Sequence, residues 1–280
     1  MTVVIATLGG PSLIGTIEAL LRGSIIPDEI LICLPATEGK KIENIVFPNV
    51  KILLTHCRGQ VAQRALGFSN ASHSIVMQLD DDLLVDVHCI HHLLKTLEAY
   101  GPNISVAPAL MNTATGKSIY KKRNKSTLFQ KICYWIMNGS DGYQPGKICK
   151  SGLAIGVDPE NTNGTLFDVE WLAGGCALHY KKNLLLTNFY PFEGKAFCED
   201  LLHSCYFMQF KIKLMIDSSA QCWLEPASLN YGPFEFLKQL YFDFRARKYI
   251  MLLFSRFSFR IYIYYFARYF YFLYQKIYSK

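Results

Sequence analysis

The sequence contains no uninterrupted apolar run of the length that a membrane-spanning helix requires. Its nine cysteines form no C-x-x-C pair and no short spacing typical of zinc sites, which indicates small buried residues in a reducing compartment. No G-x-G-x-x-G run and no Walker lysine is present, which argues against a dinucleotide-binding fold and against a P-loop. The first residues lack the basic start of a signal peptide, so we expect a cytoplasmic protein.

Charged residues are scarce, at 18%, and are unevenly distributed. Hydrophobic residues make up 51% of the 280, which predicts one large folded domain or two small ones. Residues 245–280 contain eight Lys or Arg and no acid, and residues 241–280 hold 17 of the 39 aromatic residues. The body of the chain is therefore near neutral, and its tail is basic and aromatic.

The most informative stretch is SIVMQLDDDLLVD, at residues 74–86. The apolar run Ile75–Leu79 predicts a buried strand. Asp80, Asp81 and Asp82 follow it directly and cannot be core, because an unpaired buried carboxylate is costly. At the carboxyl end of a strand, Asp80 and Asp82 are placed to share a divalent cation such as Mg²⁺ or Mn²⁺. The alternative is a solvated turn that caps the next helix.

Strand-like and helix-like stretches alternate along the chain, which predicts an α/β fold with a mainly parallel sheet flanked by helices. We predict strands at Thr2–Leu8, Glu29–Leu34, Val50–Leu54, Ile75–Leu79, Ile104–Ala107, Ile212–Ile216 and Ala220–Leu224, and helices at Ser12–Leu21, Gln60–Phe68, Cys89–Leu97 and Leu201–Phe210. The basic segment Lys117–Lys125 is predicted to be a solvated loop. Asn138–Asn163, rich in Gly, Asn, Asp and Pro, is predicted to be a long loop over the site.

Two later stretches also carry candidate site residues. In FDVEWLAGGCALH, Gly174 and Gly175 allow backbone to approach a ligand, and Trp171 offers a face for a sugar ring; a β-bulge beside a core tryptophan is the alternative. Glu199 and Asp200 begin a helical pattern. They are either helix-capping acids or a general base at the mouth of a site.

Four stretches, in order, resemble the inverting family 2 glycosyltransferases with the GT-A fold. They are VVIATLGGP at the N-terminus, GQVAQRALG before IVMQLDDD, VEWLAGGC, and the pair Glu199 and Asp200. The resemblance covers residues 1–226 and implies a GT-A-like, nucleotide-diphospho-sugar transferase fold over a domain of residues 1–228. It implies an enzyme that moves a sugar from a nucleotide-diphosphate donor to a hydroxyl of a glycan or lipid-linked glycan, in polysaccharide biosynthesis.

The resemblance also implies roles for individual residues. Asp80 and Asp82 are the D-x-D pair, in which Asp82 holds the metal and Asp80 contacts the ribose or the metal shell. Donor binding would further involve Thr7, Arg64 and Asp81, the donor-sugar and acceptor side would involve Trp171, Gly174, Gly175 and Glu199, and Asp200 would be the catalytic base.

The sequence departs from the family pattern at three places. The second strand ends in Leu34 and Pro35, where the family usually has an acid that reads the base, so the nucleotide stays open. Tyr206 stands about where an arginine is usual, and the later histidine is missing around residues 223–225.

The tail, residues 229–280, is predicted to be a second, helical domain. If residues 241–278 form a helix, Arg245, Arg256, Arg260 and Arg268 fall within an arc of about 140° and leave a broad apolar face. This pattern predicts attachment to the inner face of the membrane. A helix pair packed on the domain or on a second subunit is the alternative, and the high apolar fraction argues against a nucleic-acid partner.

Two rival functions stand beside the glycosyltransferase prediction. One is a haloacid-dehalogenase-like phosphotransferase that uses Asp80 as its nucleophile. The position of the acids after three earlier strands argues against it. The other is a non-catalytic, membrane-bound partner on the same fold, against which the presence of both Asp82 and Asp200 speaks.

Overall fold

The computed structural model describes residues 1–120, 127–225 and 231–278. These residues form two compact units. The first unit contains residues 1–120 and 157–225, and the second contains residues 127–156 and 231–278. The second unit therefore combines the tail with a segment from the middle of the chain. The domain boundary near residue 228 stays a prediction, and most of the basic segment Lys117–Lys125 lies outside the described residues.

The first unit is built on a nine-stranded sheet with the order β3-β2-β1-β4-β8-β6-β9-β5, in which β7 also pairs with β9. The strands are β1 (Thr2–Ala6), β2 (Glu29–Pro35), β3 (Val50–Thr55), β4 (Ile75–Asp80), β5 (Leu83–Val85), β6 (Ile104–Asn112), β7 (Leu166–Val169), β8 (Cys176–Tyr180) and β9 (Lys213–Leu224). The sequence predicted all of these regions except the short strands β5, β7 and β8 as strands. Glycine and tryptophan obscured the pattern around β8.

The arrangement of β1, β2 and β4 positions the candidate site. These strands run parallel, and Ala6 at the end of β1 lies in register with Asp80 and with Cys33. Both faces of the strands are covered, so β1 and β2 are buried throughout. On the other side of β4, the antiparallel strand β8 begins beside Asp80, whose amide donates to the Gly175 carbonyl at 2.7 Å. The acidic turn therefore lies where the parallel pairing of β1 with β4 is followed by the antiparallel pairing of β4 with β8.

Four helices flank this sheet: α1 (Leu13–Leu21), α2 (Gln60–Asn70), α3 (Cys89–Tyr100) and α5 (Glu199–Gln209). All four correspond to predicted helices, because their apolar residues recur at helical spacing. The two strands predicted at Ile212–Ile216 and Ala220–Leu224 are one strand, β9. The polar residues between them do not end the strand, because a register shift between Pro108 and Ala109 on the partner strand β6 accommodates them.

The second unit contains the helices α4 (Leu128–Asn138), α6 (Pro233–Leu253) and α7 (Arg260–Tyr278). Helix α4 was not predicted; Thr127 and Gln130 form a capping box at its start. The single tail helix that underlies the predicted arc of arginines is wrong. The helical conformation is interrupted at residues 254–259, where Ser255 has a φ of 55°. Helix α7 then folds back on α6, and the stacked rings of Phe236 and Phe272 have their centroids 3.9 Å apart.

The arginines of that arc consequently do not share one face. Arg260 donates to the Trp135 carbonyl at 2.6 Å, and Arg268 lies 3.9 Å from the Asp243 carboxylate. Aromatic packing between α6 and α7 determines this arrangement. Placing the residues at 100° intervals around a single helix does not predict it. Among the described helices, none is long and apolar enough to cross a bilayer.

Candidate active site

A cavity lies at the carboxyl end of β1. Its volume is about 740 Å³, which is in the range of small-molecule sites. Thr7 and Asp81 both line it, and the Thr7 hydroxyl donates to Asp81 Oδ2. The Thr16 hydroxyl holds the backbone of the same residue, donating to the Asp81 carbonyl at 2.9 Å. These hydrogen bonds join the loop after β1 to the acidic turn after β4. The two segments lie close together because β1 and β4 are neighbouring parallel strands, with Ala6 in register with Asp80.

Helix α2 supplies side chains that the sequence analysis missed. Gln63 Nε2 donates to the carbonyls of Thr7 and Cys33, both at 2.7 Å, and so joins the ends of β1 and β2. Gln60 Nε2 donates to Asp80 Oδ1 at 3.0 Å. Gln60, Gln63 and Arg64 lie three and four residues apart, and polar residues at that spacing on the inward face of a helix were a usable signal.

Two basic side chains in the cavity wall were also missed. Arg58 precedes α2, and Lys195 belongs to the segment before α5. Both line the same cavity, which gives it a cationic wall. Neither residue stands in a recognisable pattern, so only the tertiary structure brings them together.

Arg64 is the central residue of the site. It is 2% exposed, and its guanidinium donates to Asp80 Oδ1 and to Glu199 Oε1, each at 2.5 Å. It also donates to the Gly174 carbonyl at 2.9 Å. One side chain from α2 thus connects the end of β4, the glycine pair and the start of α5. The stretches that carry the predicted site residues are physically joined through it.

The charges around Arg64 do not balance. Burial, opposed in part by Arg64 but reinforced by the charges of Asp200 and Asp80, raises the pKa of Glu199 to about 7. Burial by itself would lower the pKa of Arg64, but the carboxylates of Glu199 and Asp80 raise it above its ordinary value. One guanidinium therefore faces more than one carboxylate in a buried setting, and Arg64 stays charged.

The glycine pair lies directly against the acids. A Cβ on Gly174 would lie 2.5 Å from Glu199 Oε1 and 3.1 Å from Asp200 Cβ. A Cβ on Gly175 would lie 2.9 Å from Leu83 Cδ1 and 3.4 Å from Asp80 Oδ2. A larger residue at position 174 would displace Glu199, and one at position 175 would clash with Leu83. Glycine is required here by the close approach of backbone and side chains.

Asp82 stands apart from the Arg64 network. The residue is exposed, but protein atoms around its carboxyl, together with the negative charges of Asp80 and Asp81, raise its pKa. Unneutralised negative charge on oxygen donors fits a hard divalent cation. No group of three or more His, Cys, Asp or Glu side chains among the described residues forms a metal cage. A pair of carboxylates such as Asp80 and Asp82 suits a metal that takes its other ligands from substrate and water.

Asp200 lies at the start of α5, half-buried, and its Oδ1 accepts from the Leu201 amide at 2.8 Å. Burial and the charge of Asp200 raise the pKa of Tyr120, which places that phenol near the carboxylate. Trp171 is 8% exposed, and Tyr120 lies edge-on to it at 5.8 Å. The predicted stacking of a sugar on Trp171 stays a prediction, as do the roles of the other site residues.

The fold resembles solved glycosyltransferase structures. GalNAc-T7 with UDP, GalNAc and Mn²⁺ superposes with a TM-score of 0.58 and 17% identity, over 83% of this chain and 45% of that one. S. aureus TarS 1–349 with UDP gives a TM-score of 0.52 and 11% identity, over 90% and 65%. The mannosyltransferase PcManGT from Pyrobaculum calidifontis, with GDP-Man and Mn²⁺, gives 0.50 and 13%, over 87% and 64%.

The chain therefore spans about half to two thirds of the length of these structures, and identities this low establish the fold alone. No curated protein sequence matches it. The family model described as glycosyl transferase family 2 matches residues 2–150, more than half of the chain. This match and the shared fold confirm the resemblance and the GT-A-like fold that the sequence predicted. The chain belongs to glycosyl transferase family 2, a family of transferases.

Proposed function

We propose that this protein transfers a sugar from a nucleotide-diphosphate donor to a hydroxyl group of a glycan or lipid-linked glycan, with inversion at the anomeric carbon. The observation that carries the proposal is the Arg64 network. It holds Asp80, Gly174 and Glu199 together, with Asp200 next in the chain, beside a cavity lined by Thr7 and Asp81. Membership of the family supports the reaction class.

The cavity binds the donor in this proposal. Thr7 and Asp81 contact the nucleoside, and Arg58 and Lys195 contact the diphosphate, whose negative charge suits paired cationic side chains. The fold relatives support a nucleotide donor, because one is bound to UDP and another to GDP-Man. The absence of an acid at the end of β2, where Leu34 and Pro35 stand, leaves the base to be identified by measurement.

Asp82 is the residue best placed to hold a divalent metal, Mg²⁺ or Mn²⁺. One oxygen of Asp80 already accepts from Arg64 and Gln60, so Asp80 has only its second oxygen to offer. Two of the fold relatives are bound to Mn²⁺, which supports the assignment. When bound, such a metal neutralises the charge that develops on the leaving diphosphate.

Asp200 is the proposed base, and Glu199 is a positioning residue. Glu199 is 6% exposed and its carboxylate accepts from Arg64, whereas Asp200 is half-buried, at the start of α5, and its Oδ1 accepts from the Leu201 amide. Asp200 removes the proton of the acceptor hydroxyl as its oxygen attacks the anomeric carbon. A single displacement from the face opposite the leaving group inverts that carbon.

The two rival functions are less well supported. A phosphotransferase that used Asp80 as nucleophile is disfavoured, because Arg64 and Gln60 both donate to Asp80 Oδ1 and hold the carboxylate in place. A non-catalytic partner would have no need of a buried arginine that binds both Asp80 and Glu199. The family match favours neither.

We further infer that the protein acts at the cytoplasmic face of a membrane, attached peripherally through its tail, where a lipid-linked acceptor would be presented. The basic and aromatic composition of residues 241–280 supports this location.

The decisive experiment is calorimetric binding of a panel of nucleoside diphosphates, with and without Mn²⁺. We expect one nucleotide to bind in a Mn²⁺-dependent way to the wild type and to lose at least about tenfold in affinity in Asp82→Ala. Asp168→Ala, which removes an exposed acid on β7, is the matched control and should bind normally. If no nucleotide binds under either condition, the glycosyltransferase proposal is wrong.

A further inference from the structure

Helix α7 exposes a row of large apolar side chains along one face. Ile263, Phe266, Phe270 and Tyr274 follow one another at intervals of three, four and four residues, which is the spacing of a single helical stripe, and Phe259, one residue before α7, precedes Ile263 by four. Their exposed fractions range from 37% for Ile263 to 69% for Phe259. The inward face of α7 is different, since Ile261 and Tyr265 are buried against α6.

Helix α4 adds a second exposed row beside this one. Leu128, Phe129, Ile132 and Trp135 are between 49% and 76% exposed. Phe129 lies 5.7 Å from Tyr271 near the end of α7, and Arg260 at its start stacks on Trp135 at 4.6 Å. The two helices therefore run antiparallel with their rows adjoining. We call the combined set the aromatic surface: Leu128, Phe129, Ile132, Trp135, Phe259, Ile263, Phe266, Phe270 and Tyr274.

The charge of the second unit decides between two occupants of this surface. Its described residues contain eleven Lys or Arg and three acids, Asp141, Glu235 and Asp243. Asp243 is turned inward, where it accepts from Tyr265 and Arg247. A second copy of this chain would bring one strongly positive unit against another, which is unfavourable. An anionic lipid bilayer offers the opposite charge.

The chemistry of the surface fits the boundary layer of a bilayer. Tyr and Trp have an apolar ring with a polar group, and they favour the level of the lipid headgroups, where Phe and Ile can insert more deeply. An exposed apolar patch of this kind on a water-facing protein marks an interaction site. We propose that the aromatic surface formed by α4 and α7 is the face by which this protein lies on an anionic membrane. The proposal rests on the membrane location inferred above but not on sugar transfer, and it assigns contact to α4, outside the tail.

Flotation of the full chain with vesicles tests this proposal. The vesicles are phosphatidylcholine alone, or equal parts of phosphatidylcholine and phosphatidylglycerol. We expect binding to the anionic vesicles only, and at least about tenfold weaker binding for Phe266→Ser/Phe270→Ser and for Leu128→Ser/Ile132→Ser. The matched control is Phe210→Ser, which removes a 57% exposed aromatic of the first unit and should bind as the wild type does.

Each outcome separates the possibilities. Circular dichroism melting and nucleotide calorimetry on the same variants show whether the fold and the donor site are intact, so failure of the membrane surface is distinguishable from failure of the proposed function. Wild-type protein that binds neither vesicle, or α4 and α7 variants that bind like Phe210→Ser, would overturn the proposal. So would a wild-type dimer that Phe266→Ser/Phe270→Ser converts to a monomer, since the surface would then join two copies of this chain.

Discussion

The first unit buries a network of charged side chains around Arg64, whereas the second unit leaves a row of aromatic side chains exposed. Arg64 is 2% exposed between Asp80 and Glu199, and the apolar residues around it fill the two faces of the sheet. In the second unit, Phe266 is 68% exposed and Trp135 is 56% exposed. Hydrophobic content alone would not distinguish the two units.

The contrast between a buried charged network and an exposed aromatic row indicates different roles for the two units. Burying charges is costly unless they are paired in good geometry, so a buried ionic network marks a place where chemistry requires fixed charges. Exposing aromatics costs free energy in water, so a stripe of them marks a place where water is to be replaced. The first unit therefore carries the candidate active site, and the second carries the surface that we propose for membrane contact.

The largest expected effect separates the two units cleanly. Asp200→Asn should lower the rate of sugar transfer by roughly 10²- to 10⁴-fold, because the acceptor hydroxyl loses its base. Nucleotide binding and vesicle binding should stay unchanged, since the substitution alters neither the donor cavity nor the second unit. Transfer is measured with the donor that the calorimetric panel identifies and with membrane extracts as acceptor. Full activity in Asp200→Asn would remove this residue from the mechanism.

Breaking the buried ionic network should have the next largest effect. Arg64→Met keeps an unbranched apolar stem but removes the guanidinium that Asp80 and Glu199 share, and we expect a loss of about 3–5 kcal/mol in the free energy of unfolding. Arg22→Met removes an exposed arginine, 3.7 Å from Glu18, and should cost less than about 1 kcal/mol. Urea unfolding of both variants gives the comparison; equal costs would mean that burial does not make the network important.

The raised pKa of Glu199 predicts a dependence on pH. Between its ordinary value of 4.5 and the folded value of about 7, the folded protein keeps a proton that the unfolded chain has lost. Glu199 therefore contributes a loss of stability as pH rises through this window. Relative to the wild type, Glu199→Gln should gain stability from pH 4.5 to 7, by up to about 3 kcal/mol. Urea unfolding at several pH values checks this, and parallel curves for the two proteins would contradict the shift.

A smaller effect tests the interior of the second unit. Arg260 donates to the carbonyls of Trp135 and Ile136 at the end of α4, and its plane stacks on Trp135. Lysine cannot do both, so Arg260→Lys should cost about 1 kcal/mol and speed hydrogen exchange along α4. Lys276→Arg, at the far end of α7, is the matched control. Unchanged exchange in Arg260→Lys would show that this contact does not hold α4 to α7.

Most of the first unit could be predicted because its signals are local. Buried parallel strands such as β1 and β2 are continuous apolar runs, and helices α2, α3 and α5 repeat their apolar residues at helical spacing. The end of the strand near Asp80 could be predicted from the sequence, because three consecutive carboxylates cannot continue into a core. The GT-A-like fold and the family are confirmed, whereas the roles of Asp82, Asp200 and the glycine pair stay predictions.

The parts that could not be predicted depend on contacts between distant segments. Nothing near Lys195 in the sequence indicates that it lines the same cavity as Arg58. Helix α4 was missed because its apolar residues do not mark an inward face; several of them are exposed. The sequence pattern predicts the tail as one helix. The structure has two helices, which are held together by packing such as that of Phe236 on Phe272.

The sequence by itself determined which side chains are available: three carboxylates after a buried strand, a glycine pair, two acids before a helix, and a basic aromatic tail. Composition and local periodicity are properties of neighbouring residues, so they can be inferred without a fold. The tertiary structure decided that Arg64 binds Asp80 and Glu199 together, and that α4 joins α7 in one exposed surface. The pairs Arg64–Glu199 and Phe129–Tyr271 are each more than a hundred positions apart in the sequence, and their proximity is set by how helices and strands pack.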